Sequence, residues 1–228
     1  MGERLKFVSR VMQAGMVAVV LGGIVTGNFT WVPAALVSLV ISEIPSLLRR
    51  DLSIVLPVEL NLWIVLALFL HVIGGVSGFY DSLPGWDHLT HAMSSSLVAA
   101  LAFVVVVALD KYVGSIYLPD SFLALFILMF TMAMGVSWEL MEYLVDGLTG
   151  SSMQYSLSDT MVDLLFDALA GLVVAAYGAY YLKNASRERF VGSLHLDGAK
   201  DRIVAAIETS KGVVSGGETT DGPAPPPS

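Results

Sequence analysis

Apolar runs of about 20 residues, the length a helix needs to cross a hydrocarbon layer, recur along the first 182 positions of this 228-residue chain. They fall near 11–27, 31–48, 60–79, 88–109, 121–145 and 159–182. The chain is 55% hydrophobic and 14% charged, where a soluble domain carries about 25% charged residues. The expected fold is therefore all-α: a polytopic membrane helix bundle with six transmembrane helices over 1–182. The first two runs are separated only by Gly27-Asn28-Phe29-Thr30. Asn28 and Pro33 mark a true turn there, against the alternative of one long helical hairpin. Arg4, Lys6 and Arg10 precede the first run as in a signal peptide, but no small-residue cleavage site follows, so this helix is expected to be retained.

Past the last run the character changes. Residues 183–211 read as a cytoplasmic amphipathic segment around Ile203, Val204 and Ile207. Residues 212–228 are a Gly/Pro-rich tail whose composition predicts disorder.

The 12 basic residues sort the connections into two classes. Arg4, Lys6 and Arg10 come before the first run, Arg49 and Arg50 after the second, and Lys111 between the fourth and fifth. Lys183, Arg187, Arg189, Lys200, Arg202 and Lys211 follow the sixth. The three alternate connections have none. The positive-inside rule then predicts a multi-pass cell-membrane protein with both termini cytoplasmic. Basic residues strung along one face, at a net charge of −8, carry no nucleic-acid signature. Cysteine is absent, which excludes disulfides and thiolate ligands.

Against this apolar background the ionisable residues stand out. His71 lies in the third run. Asp87, His88 and His91 open the fourth, Glu139, Glu142 and Asp146 close the fifth, and Asp159, Asp163 and Asp167 open the sixth. With alternating helix directions, all four sets reach the same, extracytoplasmic, half of the bundle. His88 and His91 share a face at i,i+3; Glu139, Glu142 and Asp146 follow i, i+3, i+7; Asp159, Asp163 and Asp167 follow i, i+4, i+8. Such stripes must face inward, because lipid does not tolerate them.

Carboxylates gathered without lysine or arginine must take up protons or a cation. Imidazoles among them suit Zn, Fe or Mn better than Ca or Mg. The expected ligands are His71, Asp87, His88, His91, Glu142, Asp159 and Asp163, around a divalent transition metal with zinc as first choice. Glu139 is the expected catalytic base.

Each residue also has a plainer reading. Asp87 and Asp159, or Ser158, would serve as helix caps. Asp81 and Asp146 would be solvated at loop edges. His71 would bond a backbone carbonyl. Trp86, Trp138, Tyr80 and Tyr143 would belong to the interfacial aromatic belt. Gly74-x-x-x-Gly78 and Gly171-x-x-x-Ala175 permit close helix packing. Ser94, Ser95 and Ser96 would back-bond within their own helix rather than act as nucleophiles.

The order Asp-His-x-x-His at 87–91, Trp-Glu-x-x-Glu at 138–142, and Ser-x-x-Asp-Thr-x-x-Asp-Leu at 156–164, leading into a Gly-containing apolar helix, resembles the YjdF-like family of small multi-pass membrane proteins. The resemblance covers His71 to about Gly178. A looser similarity links the chain to VanZ-like proteins, which share an acidic-plus-His helix start and are associated with resistance to glycopeptides acting at the cell envelope. Both imply an integral membrane protein with a polar site, and neither names a reaction.

Two function classes follow, with a structural polar cluster as a third. One is a metal-dependent hydrolase in contact with membrane lipid, acting on a lipid, envelope or other small-molecule substrate. The other is a proton or metal-cation transporter. The inner halves of the last four helices carry almost no ionisable residues, and no inverted repeat is evident, which favours the first.

Overall fold

The computed structural model describes residues 2–52, 56–112, 119–184 and 192. Eight helices run through them: α1 Gly2–Thr26, α2 Val32–Ser42, α3 Ile44–Leu52, α4 Val58–Val76, α5 Phe79–Ser82, α6 Trp86–Tyr112, α7 Asp120–Thr149 and α8 Leu157–Asn184. Six helical spans are long and apolar enough to cross a membrane, with α2 and α3 together counting as one over Val32–Arg50. The sequence expectation of six spans therefore holds. The expected amphipathic segment lies outside the described residues except for 183, 184 and 192, and the 212–228 tail lies wholly outside.

Three boundaries differ from those expected, each for a local reason. Helix α1 starts at Gly2, so the basic residues ride on the helix itself. A Lys6–Glu3 ion pair at 2.8 Å, spaced i,i+3, extends it through the charged turn. The second span breaks at Glu43, whose N–H bonds back to Val40 and Ile41 in a tightened turn before α3. The outer connection after α4 holds the short helix α5, set off by Gly78 at φ 66°. Glycine reaches that left-handed conformation without a Cβ penalty.

Antiparallel α6, α7 and α8 form a three-helix body, and α4 ties it to α1 and α2. Ala99, Phe103, Val106, Val107, Leu123, Ile127 and Ala175 fill the three-helix core. Met16, Ala35, Val65 and Val72 join α1, α2 and α4, while Ile64, Ala67 and Leu97 join α4 to α6. Large apolar side chains cover the outside as well, Val173 and Leu172 among them. Helices apolar on all sides need a non-aqueous surrounding.

Small residues set the helix spacing. A Cβ on Gly135 of α7 would overlap the Asp167 carboxylate of α8, and one on Gly171 would press on Thr131. The Gly171 contact agrees with the close packing expected there. Gly74 likewise makes room for the Trp86 indole, whereas Gly78 serves α5 rather than a helix contact. Gly135→Ala should lower stability by about 1–3 kcal/mol through overpacking. Thermal melting in detergent measures this; an unchanged midpoint would contradict the close α7–α8 approach.

Candidate metal centre

The end of α4, the start of α6, the end of α7 and the start of α8 meet at one end of the bundle. No lysine or arginine occurs in the connections there, 27–31, 77–85 and 149–156. His91 sits at the centre, 8% exposed. Its Nδ1 lies 3.3 Å from Asp167 Oδ1. Its Nε2 lies 3.8 Å from both Asp87 Oδ1 and Glu139 Oε1. With Asp167 at Nδ1 that nitrogen carries a ring proton, and Nε2 is left facing the Asp87 and Glu139 carboxylates, where a second proton or a cation would bind. Asp167 also accepts a hydrogen bond from Ser95 Oγ.

Two groups of residues bring ligand atoms within 4.8 Å of one another: Asp87, His91 and Asp163, and His88, Asp159 and Asp163. Asp163 belongs to both and is 2% exposed. His88 Nδ1 is 2.8 Å from Asp163 Oδ1, and its ring stacks on Phe166 at 5.1 Å. Five of the seven expected ligands thus fall in these groups.

The other two, His71 and Glu142, belong to neither group. His71 Nδ1 is 2.8 Å from the Tyr80 hydroxyl, which donates to Thr90 Oγ1; Thr90 in turn donates to the Asp87 carbonyl. This relay makes His71 a donor and pins α4 to α5 and α6, replacing the expected backbone partner. Burial raises the Tyr80 phenol above its ordinary range, so it stays a donor. Trp31, Tyr80 and Trp138 enclose the His71 ring. Glu142 accepts 2.8 Å from Trp138 Nε1.

Glu139 faces the centre instead. Gln154 Nε2 donates to its Oε2 at 3.2 Å and to its backbone carbonyl at 3.0 Å, while Oε1 is buried without a hydrogen-bond partner. Asp167 Oδ2 is likewise buried and unpartnered. Buried polar atoms are ordinarily satisfied, and the unpartnered Glu139 oxygen lies 3.8 Å from His91 Nε2.

The plainer readings divide. Ser156 Oγ accepts the Asp159 N–H at 3.1 Å and caps α8, while the Asp159 carboxylate reaches back to the Tyr155 backbone N–H. Asp146 is no free loop-edge charge: it accepts from Ser151 Oγ and from the Met153 and Gln154 N–H groups, folding the loop that carries Gln154. Asp81 is exposed at the loop edge as expected, and accepts from Tyr155 at 2.8 Å. Ser96 does back-bond, to the Ala92 carbonyl at 2.7 Å, whereas Ser95 reaches across to α8. Asp167 and Ser95, not among the expected ligands, and Gln154 also take part. Asp167 had a signal, the last member of the acidic stripe; Gln154 had none.

A cavity of about 280 Å³ at this end is lined by Tyr80, Trp86, Asp87, His88, Tyr155 and Asp159 among others. Of the two ligand groups it reaches Asp87, His88 and Asp159.

The six spans define an integral, multi-pass membrane protein, with a buried His/carboxylate cluster at one end. Residues 8–184 match the family described as predicted membrane protein (DUF2238), and the chain belongs to that family. An uncharacterized protein of Thermotoga maritima is 29% identical over 122 residues, 53% of this chain and 62% of that protein. The chain thus matches less than two thirds of that relative's length. No solved structure matches it.

Proposed function

We propose that this protein is a metal-dependent membrane hydrolase, holding a divalent transition metal, zinc first, between His91, Asp87 and Asp163. The observation that carries the reading is His91 itself. Its Nδ1 is engaged by buried Asp167 and its Nε2 faces carboxylates, one of which has an orphaned oxygen. The 3.8 Å edge between His91 Nε2 and Asp87 Oδ1 is close to the roughly 3.4 Å that metal–ligand bonds of about 2.1 Å imply in a tetrahedron. When bound, the metal supplies Lewis acidity toward a carbonyl or phosphoryl oxygen and acidifies water.

The chain's own groups supply the rest. Glu139, held by Gln154, is placed to take a proton from water. The loop-end cavity admits a headgroup-sized substrate from the membrane surface. The apolar core of α6, α7 and α8 lies further along the same helices, which supports a closed site over a conducting path. The YjdF-like resemblance agrees with a polar site in a multi-pass protein. Lowering the pH should release the metal, because protons compete for the imidazole and carboxylates.

Metal-loaded protein in proteoliposomes, offered ester and phosphoester lipids, tests the reaction. Wild type should hydrolyse one class, and Glu139→Gln should lose about 100-fold or more in rate, the scale of general-base catalysis, while keeping its metal. Hydrolysis indifferent to Glu139 would remove it as the base.

We further infer that the site end is extracytoplasmic and both termini are cytoplasmic, since every basic residue belongs to the opposite end or the tail. Reporter fusions after Gly150 and after residue 228 should read opposite sides. Same-side reports would contradict this topology.

A further inference from the structure

We propose that an anionic phospholipid headgroup docks between α1 and α3, at the end of the bundle away from the metal centre, held by Arg10 of α1 and by Ser46 and Arg49 of α3. The site shares no residue with that centre and does not depend on it.

Two contacts fix the placement. Gln13 Nε2 donates to Ser42 Oγ and to Glu43 Oε1, both at 3.0 Å, which seats the α2–α3 junction against α1. A Cβ on Gly2 would meet Val58 of α4 at 3.9 Å, so the chain returns to the start of α1 after α3. Helix α3 thus begins level with Gln13 and leads to a helix that starts beside Gly2. Its nine residues rise about 13.5 Å, and the stretch from Gly2 to Gln13 rises about 16.5 Å, so α3 matches most of that length. One turn beyond the junction on each helix stand Arg10 and Ser46. A second turn on stand Lys6 and Arg49.

The sequence patterns both helices for this seam. Glu3, Lys6, Arg10 and Gln13 recur at i, i+3, i+7, i+10 and form one stripe of α1. Gln13 is turned to the α2–α3 junction, and the stripe turns with it. Ser46, Arg49 and Arg50 share a face of α3 at i, i+3, i+4, opposite Ile44, Leu47 and Leu48. Arg10, Ser46 and Arg49 are exposed, and neither Arg10 nor Arg49 forms an ion pair with a described residue. The acids Glu3 and Glu43 on the seam are already engaged, the first by Lys6 at 2.8 Å and the second by Gln13. Two guanidinium forks and a hydroxyl remain, a donor set that matches phosphate oxygens.

The surroundings select a lipid over a free phosphate. Phe7 and Val11 stand beside the stripe, 68% and 54% exposed, and Ile44 and Leu47 of α3 are exposed as well. A phosphate held here has apolar side chains along its flank, against which acyl chains pack. Basic side chains at the ends of apolar helices meet anionic headgroups in this way.

Lipid titration of the full chain in detergent, read by native mass spectrometry, tests this. The probes are phosphatidylglycerol and phosphatidylcholine with identical acyl chains. Wild type should retain phosphatidylglycerol in preference to phosphatidylcholine. Arg10→Gln and Arg49→Gln should each lower phosphatidylglycerol affinity about 5-fold, the scale of one basic residue at an anionic surface. Arg4→Gln should leave it unchanged, because Arg4 shares the face of Phe7 and Val11 at i, i+3, i+7 and lies off the stripe. Excess inorganic phosphate should not displace the lipid. Equal retention of the two lipids by wild type overturns the site without reference to any variant's folding. Equal losses from all three variants mean diffuse attraction to a basic end and overturn it as well. Displacement by inorganic phosphate overturns the lipid as occupant.

Discussion

Asp163→Asn should abolish metal retention while leaving the helices in place. The residue is 2% exposed and common to both ligand groups, so its loss removes a donor and a negative charge from each. Replacing a residue that merely orients a ligand costs about 10–100-fold in metal affinity, and loss of a shared ligand should exceed that range. Equilibrium dialysis with circular dichroism on the same sample measures both quantities. Tight metal binding with native helicity in this variant would show that Asp163 is no ligand.

His91→Ala and Asp167→Asn form the second pair, and their contrast matters more than either alone. His91 presents Nε2, so alanine should lower affinity on the order of 100-fold or more, beyond the usual orientation effect. Asp167 touches only the far side of the ring, at Nδ1, and carries Ser95. Asparagine there should weaken binding about 10–100-fold, as expected for a residue that fixes the imidazole's tautomer and angle. Glu142→Gln should have a smaller effect than either, because Glu142 is bonded to Trp138 and lies in neither group. Asp81→Ala should leave affinity unchanged, since Asp81 pairs with Tyr155 outside the centre. Equal losses from all four would indicate general unfolding.

The spans were legible because hydropathy and length alone define a membrane helix, and six long apolar helices resulted. Their ends were less so. The break at Glu43 depends on backbone geometry that a single acidic residue does not announce. The stripe of Asp159, Asp163 and Asp167 was readable from helical periodicity, and Asp163 and Asp167 do meet the two histidines of α6. Which of Glu139 and Glu142 faces them was not readable, because i,i+3 spacing puts both on one face. The choice is made by tertiary neighbours, with Trp138 claiming Glu142 and Gln154 steadying Glu139. His71 shows the same limit: depth placed it near the cluster, and Tyr80 drew it into a structural relay.

The most direct test of the account is the metal content of the purified full-length chain, read together with its melting temperature before and after chelation. The purified chain should carry a stoichiometric transition metal. A ligand present at 100 times its Kd stabilises the folded state by about 2.7 kcal/mol, so chelation should lower the midpoint by roughly 5–10 °C for a chain of this size. Metal-free protein whose melting is unmoved by chelator or by added zinc or manganese would contradict it, leaving the His/carboxylate cluster neutralised by protons alone.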